Sequence, residues 1–197
     1  MFWGQIEAGV RKAAMSSHQT LTTAEYLGTP ESVLPTELIY GVLRVAESPL
    51  PRHQAVVFDL AIALAEHVRE RRLGEVWLAP LDVILDAERA LIVQPDLFFI
   101  SNERGHILSD RVCGAPDLVV EVLSPNPRIG KLGERIEWFA RYGVSECWLV
   151  HQYESRVEVL NFDGNVIARA QFESKRPIRS RVLPEFERTL ASMLRWV

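Results

Sequence analysis

Asp117-Leu-Val-Val-Glu121-Val-Leu-Ser124-Pro125 carries the tightest constraint in the chain. Leu118 to Leu123 is apolar at successive positions, the pattern of a strand covered on both faces in mid-sheet. Glu121 interrupts that run. Burying a carboxylate costs several kcal/mol unless a cation or strong donors compensate. A salt bridge, a strand end that surfaces, or a metal ion must therefore accompany it.

Two more acids sit in similar company. Asp96 opens Asp96-Leu-Phe-Phe-Ile100 after Gln94-Pro95, where the proline marks the start or edge of a strand. Asp82 lies within Leu81-Asp82-Val83-Ile84-Leu85. Carboxylates on three neighbouring strands can converge at one sheet edge. They would repel unless a hard divalent cation such as Mg²⁺ or Mn²⁺ lay between them. Such a site suits metal-assisted hydrolysis of a phosphodiester, because the ion acidifies a bound water and neutralises charge on phosphorus oxygens. A side-chain cation is also expected nearby to stabilise the transition state. Lys131 and Arg135, four residues apart, share one face of the helix expected next. Either could reach the cluster, or both could belong to a solvated face.

Outward from these segments, the elements alternate. Thr22 or Thr23 caps a short helix, and Glu37 to Val45 (ELIYGVLRV) predicts a hairpin or a bulged strand at Gly41. From His53 to Arg72 the period is helical: Val56, Leu60, Leu64 and Val68 recur every four residues, with Gly74 as the stop. Short strands follow at 76–78, 82–85, 90–93, 97–100 and 118–123, then a helix over 129–142 ending at Gly143. Strands at 147–151, 157–162 and 166–170 and a closing helix over 186–196 complete the chain. That order predicts an α/β (α+β) domain over 21–197 with a mixed sheet, preceded by a loosely attached arm over 1–20.

Composition bounds the function. The 197 residues are 48% hydrophobic and 24% charged, with a net charge of −4 and a mean hydropathy near zero, which excludes a disordered chain. No apolar run approaches the roughly 18 residues of a membrane span. Met1 to His18 lacks a signal-peptide pattern. Cys113 and Cys147 have no CxxC spacing, so a reducing cytoplasm is the expected location. Charge is uneven: −7 over residues 1–127 and +3 over 128–197. There is no GxSxG, GxGxxG or P-loop pattern, and the five histidines lack metal-ligand spacing. His53, opening the long helix, is the one to test. Trp138 and Trp148 are expected in the core or at a subunit interface, which leaves a homodimer open.

The combination of Gln94-Pro95-Asp96, Ala115-Pro116-Asp117 through Pro125, and Phe139-Ala-Arg-Tyr-Gly143-Val-Ser-Glu-Cys-Trp148-Leu-Val150 resembles the Uma family of restriction-endonuclease-like proteins. Glu37-Leu-Ile-Tyr-Gly41, His53 and Pro80-Leu-Asp82-Val83 extend the resemblance over most of residues 22–162. It implies a PD-(D/E)XK nuclease fold, with a central four-stranded mixed sheet flanked by helices and further strands added. It also implies Mg²⁺-dependent cleavage of DNA. By motif, Asp96 is the first metal ligand, Glu121 the acid of the (D/E)XK strand, Glu37 the acid near the first helix, and Asp82 an additional ligand. Two departures stand out. Leu123 occupies the usual lysine position two beyond the acid. In the following helix, where the family places an acid, a lysine and an aromatic at four-residue intervals, this chain has Lys131, Arg135 and Phe139. Arg135 keeps the charge but cannot shuttle a proton; Lys131 could do so from one turn away. An active enzyme with a displaced lysine, a binding or assembly module that kept the fold, and a hydrolase of small phosphorylated substrates all remain open at this point.

Overall fold

The computed structural model describes residues 20–30, 34–46, 48–124, 131–164 and 166–195. The arm expected over 1–20 lies, Thr20 aside, outside them. Thr22 closes a capping box with Glu25 at the start of α1 (Thr23–Leu27). The ELIYGVLRV segment forms the hairpin β1 (Thr36–Ile39) and β2 (Val42–Val45). Tyr40 and Gly41, at φ 50° and 83°, make its two-residue turn, a left-handed pair that suits glycine at the second place.

α2 (Pro51–Arg71) is the predicted long helix, with proline in its first turn. It ends through a left-handed Arg72, not at Gly74. Gly74 instead opens β3 (Gly74–Leu78), where any Cβ would run into the Ile100 carbonyl oxygen. β4 (Val83–Asp86), β5 (Leu91–Val93) and β6 (Leu97–Ser101) follow, then a 3-10 turn (Asn102–Ile107) and the two-residue β7 (Val112–Cys113). The sequence pattern had not marked those last two. β8 (Leu118–Leu123), α3 (Leu132–Tyr142), β9 (Glu146–His151), β10 (Arg156–Asp163), β11 (Val166–Glu173) and α4 (Leu190–Met193) complete the order. The closing helix predicted over 186–196 is thus four residues long. Phe186 packs in the core from a non-helical segment that follows Pro184.

Among the described residues the strands form two mixed sheets flanked by helices, as the α/β (α+β) reading expects. Six strands run in the order β11-β10-β9-β8-β6-β3, and five in the order β2-β1-β5-β4-β7. Among the described strands only β8/β9 and β4/β7 pair in parallel. α3 makes the β8-to-β9 crossover, as parallel neighbours require. One face of the larger sheet (Phe99, Leu118, Val120, Val122, Trp148) packs on Val56, Leu60, Leu64 and Val68 of α2, with Leu183, Phe186 and Leu190 of the C-terminal segment. The other face (Phe98, Val119, Leu149) packs on Ile136 and Phe139 of α3 and on Val83, Leu91 and Val93 of the smaller sheet. Each fully buried side chain of this kind contributes about 1.5–3 kcal/mol. Trp148 is core, and Trp138 meets the Tyr40 ring edge-on at 5.9 Å. Among the described residues no helix is long and apolar enough to cross a membrane.

His67 of α2 is buried against Phe186, and its Nε2 lies 3.0 Å from the Pro184 carbonyl oxygen. Burial, followed by the Arg71 charge, lowers its pKa from 6.5. The unfolded chain therefore takes up this proton first. Stability linked to His67 is complete above pH 6.5 and is lost as pH falls from there through the lowered folded value. Urea unfolding of wild type and His67→Gln across that window should show the wild type losing more stability on acidification. A wild type and variant with parallel pH profiles would contradict this.

Candidate active site

The β6–β8 ladder runs from Phe99↔Leu118 to Leu97↔Val120 and then stops. Beyond it, the Asp96 side chain takes over: its Oδ2 accepts the Val122 N–H at 2.7 Å. Its Oδ1 lies 3.1 Å from Nε2 of His53, in the first turn of α2. This contact joins the helix on one face of the sheet to the strand ends. Burial by itself would lower the His53 pKa, but the hydrogen bond to Asp96 and the charges of Asp96 and Glu121 outweigh it and raise the value.

Glu121, on β8, faces the opposite side from Val120 and Val122 and meets Arg135 of α3. Arg135 Nε donates to Glu121 Oε1 at 2.7 Å, and Nη1 donates to both Glu37 oxygens at 2.8 and 2.9 Å. Side-chain exposure is 8% for Arg135, 13% for Glu121 and 0% for Glu37. Glu37 Oε1 also accepts the Gln94 N–H at 2.6 Å. Burial raises the Glu121 pKa and the charge of Asp96 pushes the same way, while Arg135 opposes both. Burial disfavours the Arg135 charge, yet Glu121 and Glu37 hold the guanidinium firmly protonated.

The structure therefore brings together four of the predicted residues, Asp96, Glu121, Glu37 and Arg135, with His53 as a fifth. It sets the other two apart. Asp82 precedes β4, and its Oδ1 accepts from Tyr26 Oη at 3.1 Å and from Gln94 Nε2 at 2.8 Å. Lys131 stands at the N-cap position of α3, its side chain 86% exposed and its ammonium 3.8 Å from Glu134. Sequence reasoning gave Gln94 no role, yet it ties Glu37 to Asp82 through its backbone and side-chain N–H groups. Nor did it single out Arg52. Arg52 donates to the Gln152 carbonyl at 2.8 Å and lies 4.8 Å from the centre of the half-exposed Tyr153 ring. Gln152 in turn donates to the Leu123 carbonyl at 3.0 Å, which fixes this rim to the end of β8.

A divalent ion needs carboxylate oxygens free to approach to roughly 2.0–2.6 Å. Both Glu37 oxygens and Glu121 Oε1 hold the guanidinium, and both Asp96 oxygens hold donors of the chain itself. Among the described residues, no three His, Cys, Asp or Glu side chains converge as a metal site. With the guanidinium seated on Glu37 and Glu121, these carboxylates fit that group better than a divalent cation.

A crystal structure described as a "putative nuclease belonging to DUF820", from Anabaena variabilis, matches with a TM-score of 0.74 at 20% identity. The match covers 89% of this chain and 98% of that one, and it shows a shared fold. No curated protein matches. The family model Uma2, described as "Putative restriction endonuclease", matches residues 23–191. This span includes every site residue named above, and the chain belongs to the Uma2 family.

Proposed function

We propose that this protein hydrolyses DNA phosphodiester bonds as a slow endonuclease, with its site at the Asp96–Glu121 edge. The observation that carries the reading is the 2.7 Å bond from the Val122 N–H to Asp96, which sets a second carboxylate beside Glu121 at the end of β8. Family membership supports a nuclease. It also implies Mg²⁺, with Mn²⁺ as a substitute, but the engaged carboxylates assign no catalytic step to an ion. The chain's own residues account for holding and orienting: Asp96 fixes His53, Arg135 offsets the buried carboxylates, and the exposed Lys131 and the Arg52–Tyr153 rim are available to backbone phosphates and an unstacked base.

Supercoiled plasmid incubated in EDTA and, separately, with millimolar Mn²⁺ tests this. Slow nicking by wild type and none by Glu121→Ala is the expected result; equal rates would remove Glu121 from the site. Arg135 favours a second reading, a DNA-binding or assembly module that does not cut. That reading predicts a duplex bound in EDTA at low salt and left intact after long incubation with either ion.

A further inference from the structure

We infer that the Arg135 guanidinium stands where this fold would otherwise hold a divalent cation, so the chain carries its own resident cation and a metal site masked by it. The inference rests on the reading of Asp96, Glu121 and Glu37 as the functional carboxylates. It deepens that reading by naming the cation that those carboxylates hold.

The geometry is that of a bridging ion. Glu37 belongs to the five-stranded sheet and Glu121 to the six-stranded one, and a single buried group joins them through three donations of 2.7–2.9 Å. The planar guanidinium fork matches two carboxylates as a point charge on a lysine does not. Its charge is also permanent, so no ordinary change of pH releases it. The nearby alternative cation, Lys131, points to solvent and does not share the role. Gln94 fixes Glu37 from the other side, leaving that carboxylate no need of a further partner. The site therefore meets its charge requirement from within, and a metal can bind well only when the guanidinium is removed.

Thermal unfolding of wild type, Arg135→Met and Arg135→Met/Glu121→Gln in EDTA and in millimolar Mn²⁺ tests the inference without DNA. Methionine keeps an unbranched apolar stem and removes the guanidinium and its charge. The wild-type midpoint should not move. That of Arg135→Met should rise by about 5–10 °C when Mn²⁺ reaches roughly a hundred times its dissociation constant. The double variant should lose that rise. A wild-type shift as large as that of Arg135→Met, or no shift in Arg135→Met, overturns the inference. Should Arg135→Met not fold in EDTA, Arg135→Lys serves. Its ammonium can satisfy Glu37 while leaving Glu121 free, so it should bind Mn²⁺ at least about tenfold more tightly than wild type by paramagnetic resonance. Equal affinities overturn the inference. Because no DNA is present, failure of the nuclease reading would leave these ion-binding results unchanged, and the two are separable.

Discussion

Replacing Arg135 with leucine should lower the unfolding free energy by about 3–5 kcal/mol, measured by guanidinium chloride denaturation at neutral pH. The cost is chiefly electrostatic, since leucine keeps an apolar side chain in a buried position. It comes from Glu37 and Glu121, which are left inside the protein with no counter-charge. Adding Glu37→Gln and Glu121→Gln to Arg135→Leu should therefore recover much of the loss, because neutral replacements of buried ion pairs are often tolerated. A loss within about 0.5 kcal/mol for Arg135→Leu, the range of ordinary surface substitutions, would mean that the carboxylates are hydrated and that the buried triad does not govern stability.

Glu146→Ala is the second large effect, expected at about 2–6 kcal/mol in the same measurement. Glu146 has no exposed surface, and its two oxygens accept from Trp148 Nε1 and from the Arg181 N–H, each at 2.6 Å. Alanine strands both donors, and a buried donor without a partner costs about 1–3 kcal/mol. The loss also unfastens the C-terminal segment, whose Leu183, Phe186 and Leu190 cover α2 and Trp148. Early hydrogen exchange over residues 178–194 should accompany the loss of stability. Trp148→Phe removes only one of the two donors and should cost less than Glu146→Ala. The reverse order would place the stabilisation in ring packing alone.

The parts of this fold that rest on local pattern were legible in the sequence. The four-residue apolar repeat of α2 and the continuous apolar run of β8 each identify themselves within a few residues, and Gly41 marks a break that the structure resolves as a hairpin turn. Asp96 and Glu121 were legible too, because a carboxylate at the end of or inside an apolar strand demands a partner. The identity of the partner was not legible. Glu37 and Arg135 are 98 positions apart and belong to different layers, so only the crossover of α3 above the sheet brings them together. Asp82 shares the strand-embedded pattern of the other two, but Tyr26 and Gln94 reach it first. Spacing placed Lys131 and Arg135 on one helical face. It could not show that the helix begins at Leu132, which leaves Lys131 at the cap and exposed while Arg135 alone is carried inward. The C-terminal apolar residues read as one helix because their spacing resembles a helical period. They serve instead as separate plugs along an irregular segment.

Arg135 supplies this site with the positive charge that its buried carboxylates need. Calorimetric titration of the wild-type protein with Mn²⁺ into the low millimolar range tests it most directly. No saturable heat is predicted, because Arg135 already occupies Glu121 and Glu37. A one-site saturable heat that disappears in Glu121→Gln would show that an ion displaces the guanidinium with ease, and would contradict the claim.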